Sequence, residues 1–391
     1  MMRRRIGKAP GMESTARASR PVAAVLAIAA LVIVVAATFA VARPGEAPPA
    51  PADALQAKAL GELRVFTGWL DRFGAEGYIG EVGWPDDVDG DAAEWNDLAE
   101  TWYAEADRAR LWVTAWATGR LFGAGYPLAV YDFDNGRLVP SSQAEVVERK
   151  APAGVLRGVS IAGAEFGTEG PSFSNASPGT HGVEYAYDPP ETFAYLATRG
   201  HRLVRLPFRW ERIQPRLRAA LDPVELGRLR SAVGHAHAVG LAVVLDLHNY
   251  GEYRASEGRL RLGAEIPAAS FADTWRRLAE AFRAEPGVVG YGLMNEPVHV
   301  QPGDAASAER FWERASQAAV TAIRSTGDRR LVLVGGYPWS SVHDWPAHHP
   351  RPWIRDPRRN VRYEAHHYWD ADRSGTYAST YDEEVAAAGR R

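Results

Sequence analysis

From residue 54 onward, short uninterrupted apolar runs alternate with stretches whose apolar residues recur every three or four positions. Uninterrupted runs suit strands buried on both faces, as in a parallel sheet, and the longer spacing suits helices that cross over between them. Eight runs qualify as strands: YIG at 78–80, LWVTAW at 111–116, VLRGVSI at 155–161, LVRLP at 203–207, AVVLDL at 242–247, VGYGLM at 289–294, LVLV at 331–334 and VRYEAH at 361–366. Leu55, Ala59, Leu63, Phe66 and Leu70 mark one helical face. Asp222-Pro223 with Glu225 reads as an N-cap followed by proline in the first turn, and Ser270 with Asp273 as the opening of another helix. Ser141 to Lys150 predicts a short helix and then a loop, and the glycines of residues 119–127 predict a loop with no dinucleotide fingerprint.

Eight such units close into an α/β fold, the (β/α)₈ TIM barrel, whose working residues stand at the C-terminal ends of the strands. The first 53 residues follow another pattern. Residues 1–20 are basic, and Val22 to Ala42, within a predicted helix over 21–43, carries no charge. At about 1.5 Å per residue this run reaches roughly 31 Å, the thickness of a bilayer core. The basic flank predicts a cytoplasmic N-terminus, with everything beyond Arg43 delivered outside, either anchored in the membrane or released by cleavage after Ala40-Val41-Ala42. Residues 44–53 form a Pro/Ala linker, and residues 54–391 form the barrel domain. A net charge of −3 with scattered arginines argues against a nucleic-acid partner, and the absence of cysteine excludes disulfides and thiolate metal sites. The expected state is a monomer without cofactor.

The strand ends carry a coherent set: Arg205 in LVRLPFRW, His248 and Asn249 in LDLHNY, Asn295 and Glu296 in YGLMNEP, His366 and Tyr368 in EAHHYW, Glu81 in IGEVGWP and Trp116 in VTAWATG. This set resembles the family 5 glycoside hydrolases, the cellulase family of (β/α)₈ retaining glycosidases. The resemblance implies Glu296 as acid/base, Glu81 as nucleophile, Arg205, His248, Asn249, Asn295, His366 and Tyr368 around the sugar, and Trp116 as its apolar floor. It further implies hydrolysis of a β-linked polysaccharide or oligosaccharide, a β-glucan such as cellulose or a β-mannan, by double displacement through two carboxylates. A barrel that binds glycan without cleaving it is the alternative, against which the retained carboxylate pair argues.

The order departs from that family. Strands from residue 155 to 366 run like its first six, whereas the counterparts of its seventh and eighth, with Glu81 and Trp116, come first. The chain therefore reads as a circular permutant cut near helix six, with Leu121 to Ala153 joining the former ends; the other possibility makes residues 54–150 a separate module. Glu165 and Glu364 are expected to be bystanders, the second buried one layer beneath His366. The pairs His348-His349, His366-His367 and His235/His237 lack metal-site spacing, so no metal is expected. Trp84, Trp210, Trp339 and Trp369 follow strand ends and are candidates to line a glycan cleft, with the loop over 163–188 as one wall.

Overall fold

The computed structural model describes residues 53–86, 90–300 and 303–390. The basic segment, the predicted membrane or signal helix and all of the linker but Asp53 lie outside the described residues. No helix among the described residues is long and apolar enough to cross a membrane.

The described residues form twelve strands: β1 (Glu76–Val82), β2 (Trp112–Thr118), β3 (Tyr131–Asp134), β4 (Arg137–Pro140), β5 (Arg157–Ile161), β6 (Leu203–Phe208), β7 (Ala242–Leu247), β8 (Glu252–Ala255), β9 (Gly258–Arg261), β10 (Val288–Gly292), β11 (Leu331–Gly335) and β12 (Val361–His367). Eight of them, β1, β2, β5, β6, β7, β10, β11 and β12, pair in parallel with their neighbours in that order. Strand β1 also pairs with β12, which closes the ring. Residues 54–120 are therefore part of the barrel wall, and the reading that made residues 54–150 a separate module fails. Two antiparallel hairpins, β3–β4 and β8–β9, escaped the sequence reading; each has arms of only four residues, too short to show alternation.

All eight predicted strands are present to within two residues at either end. Their unbroken apolar character follows from burial on both sides. Leu203, Val244, Leu331 and Leu333 pack with Tyr78 inside the ring, while Val204, Leu206, Val243, Leu245, Val332 and Val334 face the helices. The helix α1 (Ala54–Phe73) opens on Asp53, whose carboxylate accepts from the Gln56 amide at 2.7 Å, and ends at Gly74 with φ +59°, where glycine is cheapest. Its face of Leu55, Ala59, Leu63, Phe66 and Leu70 is buried as expected. The helix α2 spans Ala92–Arg108. Asp222 caps the helix Pro223–Ala238 through the amides of Val224 and Glu225. Two local expectations need correction. The helix near Ser270 begins at Ala268, behind Pro267, so Ser270 is buried in its first turn while Asp273 pairs with Arg276 and Arg277. The helix expected over 141–150 is a single turn, Ala144–Val147.

Candidate active site

Glu81 reaches the barrel interior through a local irregularity. In β1, Tyr78 lies opposite Glu364 and Ile79 opposite Ala365, but Glu81 lies opposite His366, leaving Gly80 unpaired. Side chains alternate along a strand, so residues three apart should face opposite ways; the extra residue at Gly80 lets Tyr78 and Glu81 both point inward. Glu81 is 4% exposed, and both its oxygens are engaged: Oε1 accepts from Arg205 Nη1 at 2.8 Å and Oε2 from the Tyr368 hydroxyl at 2.7 Å.

Arg205, on β6, is completely buried. Its second terminal nitrogen donates to Asn295 Oδ1 at 2.6 Å and lies 3.2 Å from Asp246 Oδ2. This fork ties the nucleophile candidate on one side of the ring to the Asn-Glu-Pro turn on the other, a geometry that a single-point lysine could not reproduce. Glu296 stands in that turn after β10 with φ +41°, an uncommon backbone state for a side-chain-bearing residue and a recurrent one at functional sites. One Glu296 oxygen lies 2.7 Å from His366 Nδ1, which in turn is 3.6 Å from Glu81 Oε2. Oxygens of the two carboxylates come within 4.8 Å of each other.

Their environments differ in sign. Burial alone would raise the Glu81 pKa, but the charges of His366 and Arg205 and the Tyr368 hydrogen bond outweigh it and hold the carboxylate below its ordinary range. For Glu296, burial and the proximity of Glu81 prevail over the His366 contact, so its pKa is raised. His366 would lose its proton through burial, yet Glu81 and the contacts with Glu296 and Glu364 push it up to about 10. His248 is the opposite case: burial and Arg205 drive it well down despite Glu81. A neutral His248 donates from Nδ1 to Asp246 at 2.8 Å and accepts at Nε2 from the Tyr250 hydroxyl and the Asn295 amide, at 3.0 and 3.2 Å. Trp116 is half-buried, lies 5.7 Å from His248 in a stacked arrangement and donates to the Tyr126 hydroxyl.

Eight of the nine predicted site residues thus converge. Asn249 does not: its amide is spent on Glu211 and the Glu252 carbonyl, and its oxygen accepts from the Trp210 amide, so it braces the strand end. Trp84, Trp210 and Trp369 are buried in the core, whereas Trp339 is 47% exposed and lines a cavity of about 480 Å³ with Glu296, His366, Tyr368, His343 and Arg373. The 163–188 loop reaches the site through Phe166, which meets Phe122 and, through it, Tyr126, and through buried Glu165, which feels the charges of Asp246 and Arg205; much of the rest encloses a separate hollow of about 670 Å³. Sequence reasoning missed Asp246 and Tyr250, although Asp246, two residues before His248, shares its face. Glu81, Glu296 and His366 approach the spacing that a cation could bridge. With both Glu81 oxygens occupied and the Arg205 guanidinium alongside, this set does not suit a metal.

Residues 159–389 match the model of the cellulase family, glycosyl hydrolase family 5. The chain belongs to this family. Among its relatives, the manganese-dependent endoglucanase Eg5A of Phanerodontia chrysosporium is 30% identical over 217 residues, covering 54% of each chain. Endo-β-1,4-glucanase B of Emericella nidulans is 27% identical over 233 residues, 59% of this chain and 64% of the relative. The chain thus spans between about half and two thirds of the length of these relatives. Among solved structures, the Pseudomonas stutzeri endoglucanase Cel5A in complex with cellobiose is 39% identical, with TM-score 0.50 over 56% of this chain and 62% of that one. XacCel5A in complex with cellopentaose is 36% identical, with TM-score 0.50 over 59% and 72%.

Proposed function

We propose that this family 5 protein is a retaining endo-β-1,4-glucanase in which Glu81 is the nucleophile and Glu296 the acid/base. One observation carries the reading: two carboxylates within 4.8 Å, one held ionised and the other biased toward its acid. Retaining glycosidases place the pair about 5–5.5 Å apart, whereas inverting ones need roughly 6.5–9.5 Å to admit a water. Glu81 attacks the anomeric carbon as Glu296 protonates the departing glycosidic oxygen, leaving a glycosyl ester on Glu81. Esterification removes the negative charge that kept Glu296 protonated, so Glu296 then takes a proton from water as that water releases the sugar. Asn295, fixed by Arg205 and His248, is placed to hold a sugar hydroxyl, and Trp116 offers an apolar face. The cellobiose and cellopentaose of the two solved relatives support a β-glucan over a β-mannan. No metal enters this mechanism, because the donor set does not suit one.

The chain order supports circular permutation. The family match begins in β5 and ends at residue 389, covering six barrel strands, while β1 and β2 complete the ring from before it. The helix Tyr381–Gly389 ends beside the start of α1: a Cβ at Gly389 would lie 3.7 Å from that of Ala54, as if one helix had been cut. Catalysis on the outer side of the cytoplasmic membrane follows from the basic, then apolar N-terminus.

The test is hydrolysis of cellopentaose followed by proton NMR. The first product should carry the β-anomer, and Glu81→Gln should abolish turnover. A first product of α configuration, or full turnover by that variant, sinks the reading. A joined chain running 153–390 and then 53–120 should fold and retain activity if the permutation is real; failure to fold would count against it.

A further inference from the structure

One of the buried carboxylates that the mechanism leaves unused lies directly beneath His366. Glu364 lies on β12 two residues before His366, on the same inward face but one layer deeper, and is 1% exposed. Its Oε1 lies 3.4 Å from Arg205 Nε and 3.5 Å from His366 Nε2. None of these three atoms has a hydrogen bond among the described residues, nor has the second Glu364 oxygen. A buried donor without an acceptor is costly, so two cationic side chains directed at one oxygen form a defined contact. The opposite strand makes room for it. A Cβ at Gly80, the unpaired residue of β1, would lie 2.1 Å from Glu364 Oε1 and 2.9 Å from His366 Nε2. The same plan recurs on β7, where Asp246 sits two residues before His248, but there the histidine is neutral and hydrogen-bonded at 2.8 Å.

We propose that Glu364 is a positioning residue that keeps His366 an imidazolium throughout the catalytic cycle, so that the charged Nδ1–H of His366 goes on orienting Glu296 after Glu81 has become an ester. The proposal rests on the assignment of Glu81 and Glu296 above. His366 is faced by Glu81 from β1, Glu296 from the turn after β10, Arg205 from β6, Asp246 and His248 from β7, and Glu364 from its own strand. Glu364 itself is faced by Arg205, His366 and Tyr78. Once Glu81 is an ester it no longer attracts the imidazolium. Glu364 takes no part in bond making, and its Oε1 stays 3.5 Å from Nε2 at that stage.

The test is Glu364→Gln, read by nitrogen-15 NMR of the histidine rings and by the pH dependence of kcat/KM on cellopentaose. His366 should lose its proton at least one pH unit lower than in the wild type. The alkaline limb of kcat/KM should move down by the same amount, with kcat reduced about tenfold and KM within twofold. An unmoved His366 transition overturns the proposal, as does a rise in KM with the alkaline limb unchanged. Should Glu364→Gln not fold, Glu364→Asp, which retracts the charge by one methylene, carries the same readout with a smaller shift in the same direction. The ring titration does not depend on turnover, so loss of anomeric retention in the wild type would strike the assigned mechanism and leave the His366 result interpretable.

Discussion

Replacing Tyr368 by phenylalanine removes one oxygen and leaves the ring in place, which isolates a single donor to Glu81. A hydrogen bond to a charged group contributes about 1.5–3 kcal/mol. Here the acceptor is 4% exposed, but the phenol lies half-buried at the cleft, where water can partly replace it, so the lower figure applies, about 1.5 kcal/mol. At 1.36 kcal/mol per unit this raises the Glu81 pKa by about one unit. The pKa of Glu81 is depressed in the folded protein, and removing a stabiliser of the anion brings it back up. The acid limb of kcat/KM, recorded on a fluorogenic cello-oligosaccharide, should therefore move about one unit toward neutral pH. Stability should follow the same linkage: urea unfolding at pH 7 shows the variant weaker by about 1.5 kcal/mol, and the difference disappears as the pH falls through the pKa of folded Glu81. An acid limb that stays in place in a variant with native circular dichroism would refute the account of how Glu81 is kept ionised.

Glu296→Ala should lower kcat/KM on cellopentaose by about 10²–10⁴ while sparing a dinitrophenyl cellobioside much more, since that leaving group departs without a proton; equal losses on both substrates would deny the general-acid role. Glu62 on α1 pairs with His367 and Arg373 beside β12, and although burial opposes it, these partners hold its pKa at about 2 instead of 4.5. Burial keeps His367 neutral at pH 7, which leaves Arg373 as the charged partner, so Glu62→Gln should cost about 1.5–3 kcal/mol there, a loss that shrinks from about pH 5 downward; a pH-independent loss would mean that packing, not charge, seals the ring there. Asn249→Ala should lower the melting temperature by several degrees yet leave KM within twofold, because its hydrogen bonds stay within the wall; a tenfold rise in KM would restore it to the sugar site. Trp339→Ala should raise KM for cellopentaose several-fold with little change in the melting temperature, and an unchanged KM would remove it from the cleft.

The barrel strands were legible because each is buried on two faces, which leaves an unbroken apolar run, and eight residues that converge at the ring's mouth were legible because a barrel confines its chemistry to strand ends. The order, with Glu81 and Trp116 ahead of Arg205, is plain in the sequence, and circular permutation is the reading proposed for it. Side-chain direction was not legible. His248 and Asn249 are adjacent in sequence, yet one faces Asn295 and Tyr250 inside the ring and the other braces the wall, because alternate residues leave a strand on opposite sides. Trp339 and Trp369 both follow strand ends, and only the packing of α2 and its neighbours decides that the second is core.

By itself, then, the sequence determined the eight barrel strands and which residues stand at their ends, since those depend on local periodicity and composition. Tertiary structure alone decided that Gly80 turns Glu81 inward, that His366 is charged and His248 neutral, and that Glu364 lies between Arg205 and His366. Each of these depends on the field and the space created by side chains far away along the chain, and a protonation state or a side-chain direction is set by its neighbours in space.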